Sequence, residues 1–329
     1  MRALAFALLA FAAAAAPAAQ PGGSYGQRPQ VRQFIAEMVE RHGFVARELR
    51  KLFARVSYQP AVIRAMTTPP EAPVKSWQAY RALFVGSDRI EAGARFRETH
   101  GAALARAARE FGVPAEIIVA IIGVETVYGR NMGTYRVIDT LATLAFDFPR
   151  RGEFFRGELE HYLLYAREAG IDAFATLGSY AGAIGIPQFM PGSYRRFALD
   201  YDGDGQPDLQ GSAVDAIGSV ANFLQAHGWE AGQPVAAPAQ VSGERFRALA
   251  DAGIKPLYRV ADLGSFGVKV ADPLPPEAAC ALVELETPGQ PAEYWVGLQN
   301  FYALTRYNRS SFYAIAVLEL ARAISPGSP

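Results

Sequence analysis

Residues 117–124 read Ile-Ile-Val-Ala-Ile-Ile-Gly-Val, and the residue that follows this apolar run is Glu125. The run predicts a helix that buries most of its surface, and Pro114 suits its first turn. Near the end of such a helix a carboxylate enters a partly apolar site, where desolvation raises its pKa. A carboxylic acid that is protonated near neutral pH can act as a general acid. The alternative is a structural Glu125 that reaches solvent or an ion-pair partner.

The composition is typical of a secreted protein with a sizeable core. The chain has 329 residues, half of them hydrophobic, which suggests about two domains. Residues 1–19 have a positive start at Arg2, a short apolar stretch and small residues at the end, so they are predicted to be a signal peptide. Without Arg2 the net charge is −1, since the whole chain has 32 basic and 32 acidic residues. This balance argues against nucleic-acid partners and against docking on anionic lipid.

The few cysteines and histidines exclude an intrachain disulfide and argue against a zinc site. Cys280 is the only cysteine, so an intrachain disulfide is excluded, and no cysteine near the signal cleavage site is available for acylation. We therefore expect a periplasmic protein without a membrane anchor, and a monomer. The four histidines form no zinc-binding motif. The sequence does not identify protein partners.

The fold class expected is α+β and mostly α, with a small antiparallel β insertion. A flexible N-terminus is expected over 20–30. Asp88 is predicted to cap a long helix that ends near Gly112. Short alternating runs at 266–270, 281–286 and 294–296 predict strands. The predicted regions are helical over 31–112 and 299–329, a core over 113–229, and a small β-rich domain over 230–298.

A second motif, residues 178–191, reads Gly-Ser-Tyr-Ala-Gly-Ala-Ile-Gly-Ile-Pro-Gln-Phe-Met-Pro. Its small residues allow a ligand or another backbone to come close. Ser179 and Gln188 offer hydrogen bonds, and Tyr180 and Phe189 offer flat apolar faces. This mixture suits a sugar, whose edges are polar and whose ring face stacks. A tight helix-packing corner without a ligand is the alternative.

A third motif begins at Asp200 and matches the start of an EF-hand loop. Aspartates at loop positions 1, 3 and 5 and a glycine at position 6 direct hard oxygen ligands to one Ca²⁺ ion. Position 12 is Gly211, where a bidentate Glu is usual. The ion would be structural, and an acidic solvated turn is the alternative. The predicted metal ligands in loop 200–215 are Asp200, Asp202, Asp204, the backbone carbonyl of Gln206, and Asp215 in place of the missing Glu.

Two further groups have weaker signals. Several tyrosines lie beside polar or glycine-containing sequence, although half-buried core positions are the commoner role: Tyr80, Tyr128, Tyr194, Tyr307 and Tyr313. Arg150 and Arg151 follow Pro149 and either bind a carboxylate or begin a helix beside solvent. The sequence has no nucleophile elbow, Walker loop or Rossmann fingerprint.

Together the motifs closely resemble the membrane-bound lytic murein transglycosylase B family (glycoside hydrolase family 103), and the resemblance covers the chain from about residue 31 to its end. Four segments in the same order carry it: Ile-Ile-Gly-Val-Glu-Thr at 121–126, Gly-Ala-Ile-Gly-Ile-Pro-Gln-Phe-Met-Pro at 182–191, Asp-Ala-Ile-Gly-Ser-Val-Ala-Asn at 215–222, and Thr-Arg-Tyr-Asn at 305–308.

The resemblance implies a lysozyme-like core and cleavage of the β-1,4 bond between N-acetylmuramic acid and N-acetylglucosamine in peptidoglycan. Glu125 matches the family's single catalytic acid, which then acts as the base that forms a 1,6-anhydro end. No cofactor is implied for the chemistry, and the Asp200 loop matches a calcium site. Arg150 and Arg151 match a pair that meets the peptide side of the substrate. The cleft residues implied are Tyr80, Ser179, Gln188, Phe189, Tyr307, Asn308 and Tyr313.

Two departures from the family are visible. Phe223 stands where some relatives have Tyr, and the lipobox cysteine of the membrane-bound members is missing, so a soluble periplasmic form is expected. Three other functions stay open at this point. They are a hydrolytic muramidase, which needs a base for its water, a non-catalytic peptidoglycan-binding protein, and a calcium-dependent structural module.

Overall fold

A computed structural model describes residues 24–67 and 76–325 of the chain, so the predicted signal peptide lies outside the described residues. The fold is mostly helical with a small antiparallel sheet, as predicted. The described helices are α1 Pro29–His42, α2 Ala46–Arg55, α3 Pro60–Met66, α4 Trp77–Phe84, α5 Ser87–Thr99, α6 Gly101–Phe111, α7 Ala115–Thr126, α8 Val137–Asp147, α9 Gly152–Glu168, α10 Pro191–Phe197, α11 Ala213–Ala226, α12 Arg247–Ala250, α13 Gln299–Tyr307 and α14 Ser311–Ile324. The strands are β1 Tyr135–Arg136, β2 Leu177–Gly178, β3 Ala236–Val241, β4 Tyr258–Arg259, β5 Val268–Val270, β6 Ala279–Leu285 and β7 Glu293–Gly297.

Helix α7 is the centre of the molecule. Every residue from Ile117 to Val124 is buried, as expected for a helix that is apolar on all sides. It packs against α5, α6, α11 and α14. The helix ends at Val127, which has a left-handed backbone (φ 52°) and whose N–H donates to the Gly123 carbonyl. This conformation is unusual for a β-branched residue, and the surrounding packing must hold it. Glu125 is thereby fixed in the last turn.

The sheet has the strand order β4-β6-β7-β3-β5, and all neighbouring strands are antiparallel. Because side chains alternate along a strand, β6 faces two cores. Val283 and Leu285 join the large core that contains α7, whereas Cys280 and Leu282 belong to a smaller core on the other face of the sheet. The five strands fall within the region expected to be β-rich, 230–298. The division into domains itself stays a prediction.

The long helix predicted from Asp88 to Gly112 is wrong. The chain forms α5 and α6, with His100 between them, and Gly86 rather than Asp88 occupies the N-cap of α5. Gly101 is the first residue of α6, and glycine is a poor residue for a helix interior. Gly112 does end α6, in a left-handed conformation (φ 69°).

The flexible N-terminus predicted over 20–30 is also wrong for the part that the structure describes. Tyr25 is only 1 % exposed, and its hydroxyl donates to Asp147 at 2.5 Å. The Arg28 guanidinium donates to both Asp147 oxygens at 2.8 and 2.9 Å and lies 4.0 Å from the Tyr25 ring centroid. An aromatic residue and a cation therefore attach this glycine- and glutamine-rich segment to the end of α8.

Candidate active site

Glu125 lies in the last turn of α7 and is partly exposed. The Tyr313 hydroxyl, on α14, donates a hydrogen bond of 2.8 Å to Glu125 Oε1. Burial raises the pKa of Glu125 to about 7, although the bond from Tyr313 acts in the opposite direction because it stabilises the carboxylate. A proton is therefore available on this group near neutral pH, which is what a general acid requires.

Two more tyrosines surround this carboxylate. The ring of Tyr307 stacks on that of Tyr313, with centroids 6.3 Å apart and an interplanar angle of 14°. The Tyr307 hydroxyl donates to the Pro187 carbonyl at 2.6 Å. Burial and the charge of Glu125 raise the pKa of Tyr80 to about 12, and they also raise the pKa of Tyr307 well above its ordinary value. Residues far apart in the sequence, on α4, α13 and α14, thus meet at the end of α7.

A groove of about 680 Å³ is lined in part by Tyr307, whereas Glu125, Tyr80 and Tyr313 are not among its lining residues. Five of the predicted substrate residues line it: Arg151, Gln188, Phe189, Tyr307 and Asn308. Further residues line the groove that the sequence motifs do not predict: Phe154, Glu158, Arg196, His227, Arg306 and Arg309. Arg306 flanks the Tyr307-Asn308 motif, which was a usable signal. Arg196 and His227 reach the groove only through the packing of α10 and α11.

Gln188 and Phe189 have different places in this groove. Gln188 has a left-handed backbone (φ 52°), and its amide Nε2 donates to the carbonyls of Gly185 (2.8 Å) and Met132 (3.2 Å). Strained backbone of this kind is frequent at functional sites. Phe189 is only 2 % exposed and packs against Phe223, with ring centroids 5.5 Å apart. Its main contribution is therefore to support the aromatic wall.

Ser179 and Arg150 are not among the residues that line the groove. The Ser179 hydroxyl oxygen accepts from the backbone N–H groups of Ala181 (3.3 Å) and Ala183 (3.0 Å), which fixes the tight turn of its loop. Arg150 is exposed at the start of α9. Neither residue is shown by the structure to bind substrate, and their predicted roles stay predictions.

Thr126 connects α7 to the glycine-rich loop. Its hydroxyl donates to the Ile186 carbonyl at 2.8 Å and accepts from the Gly129 N–H at 3.0 Å. The Ile186 N–H in turn donates to the Leu209 carbonyl at 2.7 Å. The loop around Gln188 is therefore attached on one side to the helix of Glu125 and on the other to the end of the aspartate loop.

The first three aspartates of the EF-hand-like loop lie together. Carboxylate oxygens of Asp200, Asp202 and Asp204 are within 4.8 Å of one another, and all three residues are exposed. Asp200 accepts from the backbone N–H groups of Gly203, Asp204 and Gly205, so the loop is folded around it. Three converging carboxylates are a suitable donor set for Ca²⁺, which prefers oxygen ligands.

Asp215 is not part of this cluster, contrary to the prediction. It is fully buried, and its Oδ1 accepts from the backbone N–H groups of Tyr201 (2.7 Å) and Asp202 (3.0 Å). Its Oδ2 accepts from the Asp208 N–H at 2.8 Å. Asp215 therefore holds the base of the loop through three backbone bonds. The Gln206 carbonyl stays a predicted ligand.

None of the described helices has the length and apolarity needed to cross a membrane. Among the described residues that line the groove, Glu158 is the only carboxylate. Its Oε2 accepts from the Gly192 N–H at 2.7 Å, and burial raises its pKa.

Comparison with known proteins identifies relatives over nearly the whole chain. The family model "Transglycosylase SLT domain" matches residues 26–322. Membrane-bound lytic murein transglycosylase B of Escherichia coli K12 is 42% identical over 314 residues, which cover 93% of this chain and 85% of that protein. Catenated lytic transglycosylase SltB1 from Pseudomonas aeruginosa has a similar structure, with a TM-score of 0.86, 45% identity, and coverage of 91% of this chain and 98% of that one.

Ligand complexes are also among the similar structures. Escherichia coli lytic transglycosylase Slt35 in complex with calcium has a TM-score of 0.81 and 42% identity, covering 92% of this chain and 95% of that one. SltB3 from Pseudomonas aeruginosa in complex with NAG-anhNAM-pentapeptide has a TM-score of 0.79 and 33% identity, covering 93% of this chain and 80% of that one. The predicted family and its lysozyme-like fold are thus confirmed.

Proposed function

The chain belongs to the transglycosylase SLT domain family of peptidoglycan-cleaving lytic transglycosylases, and from this premise we propose that Glu125 alone supplies the acid and the base of the reaction. The observation that carries the proposal is the partly buried Glu125, which receives a hydrogen bond from Tyr313 and has a pKa of about 7. Glu158, the carboxylate in the adjoining groove, is already bonded to the Gly192 N–H. A lytic transglycosylase needs no second carboxylate.

The proposed substrate bond is the β-1,4 bond between N-acetylmuramic acid and N-acetylglucosamine. Protonated Glu125 gives its proton to the glycosidic oxygen while the bond from that oxygen to C1 breaks and an oxocarbenium-like state forms. The Glu125 carboxylate then takes the proton of the 6-hydroxyl on the same muramyl residue. O6 bonds to C1 and closes a 1,6-anhydro ring. The proton taken from O6 restores the acid, and no water is consumed.

The remaining site residues are proposed to position the sugar. Tyr80 and Tyr313 lie beside Glu125, and Tyr307 continues from them into the groove. Asn308 is exposed at the groove and offers an amide to the sugar edges. Phe223 has no hydroxyl, so it contributes packing only, through its contacts with Tyr307 and Phe189.

The test is mass spectrometry of the products released from purified peptidoglycan by the wild type and by Glu125→Gln. Products that end in 1,6-anhydro-N-acetylmuramic acid, absent with the variant, are expected. Products one water heavier would mean a hydrolytic muramidase with a base that the proposal lacks. No products from either form would indicate a binding protein. Circular dichroism of the variant should match the wild type, which separates lost chemistry from lost fold.

We also propose that a structural Ca²⁺ ion binds Asp200, Asp202, Asp204 and the Gln206 carbonyl. The converging carboxylates and the calcium complex of the relative Slt35 support this site. A bound ion stabilises the folded state by mass action. EDTA should therefore lower the melting temperature more than it lowers the rate of strand cleavage, and Asp202→Asn should reduce the effect of EDTA. An unchanged melting curve would exclude a filled site.

The cellular setting follows from the substrate. We propose that the protein acts on glycan strands in the periplasm as a monomer. The predicted signal peptide supports this location. Fractionation of cells that express the full chain checks it, since recovery in the cytosolic fraction would contradict the proposal.

A further inference from the structure

The turn that follows Glu125 has an unfavourable backbone. Val127 and Tyr128 both have left-handed conformations, with φ 52° and 60°. Residues with a Cβ rarely adopt this conformation, and a β-branched residue does so least of all. The Val127 N–H donates to the Gly123 carbonyl at 3.1 Å, and the next N–H along the chain donates to the Ile122 carbonyl at 3.3 Å. The last turn of α7 therefore keeps this shape only while side-chain contacts hold the two left-handed residues in place.

The side chain of Tyr128 makes such contacts in a slot between α5 and α7. A Cβ on Gly93 of α5 would lie 2.4 Å from the Tyr128 hydroxyl oxygen, and a Cβ on Gly123 of α7 would lie 2.5 Å from the same atom. The hydroxyl donates to the Arg89 carbonyl at 2.9 Å. The ring packs against Phe96, with centroids 5.5 Å apart. The tyrosine therefore fits because each of the two helices has a glycine where the ring passes.

The same slot is close to α14, the helix that contains Tyr313. A Cβ on Gly93 would lie 2.8 Å from Ile324 Cδ1, at the end of α14. Tyr313 lies near the start of that helix and donates to Glu125. Helices α5, α7 and α14 all pack against one another. The separation between Glu125 and Tyr313 therefore depends on how these three helices pack where the Tyr128 ring lies.

We propose that Tyr128 is a positioning residue for Glu125. Its side chain fixes the end of α7 and thereby the place of the Glu125 carboxyl relative to Tyr313 and to the substrate. This inference rests on the proposed function, because it takes Glu125 as the acid and the base. Tyr128 is not among the residues that line the groove. A displacement of about 1 Å of a reacting group can cost roughly a hundredfold in rate, so a contact outside the cleft can control kcat.

The first test variant is Gly93→Ala, which places a methyl group against the Tyr128 hydroxyl. Gly93 lies inside α5, where alanine favours the helix and offsets part of the cost of the overlap. For soluble glycan strands, kcat should fall by roughly 10- to 100-fold with KM nearly unchanged. The alkaline limb of kcat/KM should move upward. A Glu125 carboxyl that is displaced from Tyr313 loses the hydrogen bond that stabilises its charged form.

The second variant, Tyr128→Phe, tests whether this effect passes through the tyrosine. Alone it loses the bond to the Arg89 carbonyl and should lower kcat by roughly 3- to 10-fold. Combined with Gly93→Ala, it removes the overlapping oxygen and leaves the ring Cζ at 3.1 Å from the new Cβ, while Ile324 Cδ1 is the end of a flexible side chain. The double variant should therefore recover kcat to within about 2- to 3-fold of Tyr128→Phe alone.

Gly123→Ala gives the opposite expectation and Gly157→Ala is the control. A Cβ on Gly123 would lie 2.6 Å from the Tyr128 Cζ as well as close to the hydroxyl. Removing the hydroxyl leaves this overlap, so Tyr128→Phe should not restore the kcat of Gly123→Ala. Gly157 lies inside α9, and no atom that the structure describes would lie within 4 Å of a Cβ there. Gly157→Ala should match the wild type in kcat and in the pH profile.

Circular dichroism at the assay temperature checks that each variant is folded. An unchanged kcat in Gly93→Ala would overturn the proposal. A loss that Tyr128→Phe does not restore would also overturn it, because the new methyl group would then act through α5 or Ile324. A lower kcat with the alkaline limb in place would assign Tyr128 to stability alone.

Two further outcomes are separable from these. If Gly93→Ala does not fold, Tyr128→Phe decides by itself, and an unchanged kcat in that variant would overturn the proposal. Failure of the proposed function is recognised independently, because Glu125→Gln would then still cleave the strands.

Discussion

At the scale of single residues, Glu125 illustrates a conflict between chemistry and stability. Its pKa is raised from 4.5 to about 7 because burial disfavours the charged form. Between these two pH values the unfolded chain has lost the proton and the folded protein keeps it. The folded state therefore binds more protons, and the contribution of Glu125 to stability falls as pH rises through this range.

The first prediction follows from this sign. Glu125→Gln should become more stable relative to the wild type as pH rises from 4.5 to 8, by up to about 3 kcal/mol for the whole shift. Urea denaturation of both proteins at the two pH values measures this difference. Glu116→Gln is the control on the same helix. The charge of Glu116 lies in the first turn, where the helix dipole favours an anion. Removing this charge should therefore not increase the free energy of unfolding at alkaline pH. A constant difference for Glu125→Gln would contradict the prediction.

The second prediction concerns Tyr313. Its hydroxyl donates to Glu125 Oε1 and stabilises the carboxylate, so Tyr313→Phe should raise the pKa of Glu125. The alkaline limb of kcat/KM should then move upward by about one pH unit, equivalent to about 1.4 kcal/mol. The pH profile of strand cleavage checks this. Tyr307→Phe is the control, because the hydroxyl that it removes donates to the Pro187 carbonyl and not to Glu125. The alkaline limb of kcat/KM should stay in place in this variant, whatever happens to KM. A limb that moves downward in Tyr313→Phe would refute the role of the hydrogen bond.

Residues differ in how well the sequence predicts them. Glu125 is predictable because a single carboxylate directly follows the apolar run 117–124, and local burial alone implies an unusual pKa. Asp215 could not be placed, because its spacing from Asp200 suits a metal ligand and a backbone acceptor equally well. The backbone N–H groups that it binds become visible only once the loop is folded.

At the scale of elements, the same limit applies to strands. The alternating runs that predict β5, β6 and β7 correspond to observed strands, whereas β3 was missed. It contains Pro238, and proline argues against a strand inside a sheet. The structure accommodates it because β3 pairs with β7 over 236–239 and with β5 only over 239–241. Pro238 is therefore paired with β7 alone, so its missing backbone N–H does not interrupt a second row of hydrogen bonds.

The third prediction concerns the contact between the glycine-rich loop and the aspartate loop. Gly185 has φ +73°, and a Cβ there would lie 2.3 Å from the Leu209 carbonyl oxygen. Gly185→Ala should therefore cost on the order of 3 kcal/mol, from the left-handed backbone and the overlap together. Gly232 has a similar φ of +74° with open space around it, so Gly232→Ala should cost only about 1 kcal/mol. Chemical denaturation of both variants measures the difference, and equal costs would show that the loops separate easily.

At the scale of the whole molecule, the large core connects regions that the sequence presents as separate. Local periodicity finds helices and strands, but it cannot show that α14, at the end of the chain, packs on α4, α5, α7 and β6. The same holds for the Tyr25–Asp147 contact, which joins residues 122 positions apart. The same limit applies to the active site. Glu125 is recognisable from its local sequence, whereas the arginines of the groove come together only when the chain folds.

The last prediction follows from this continuous core. Val283, Leu285 and Trp295 of the sheet share the core with α7 and α14, so the sheet cannot leave without exposing apolar surface of the helices. The protein should therefore unfold in one cooperative transition, although its composition suggests two domains. Differential scanning calorimetry checks this, because a two-state transition has equal calorimetric and van't Hoff enthalpies. Leu282→Ala, in the smaller core on the opposite face of the sheet, should lower the temperature of that transition and leave it single. Two resolved peaks in either protein would show that the sheet folds on its own and that its contacts with the helices do not make unfolding cooperative.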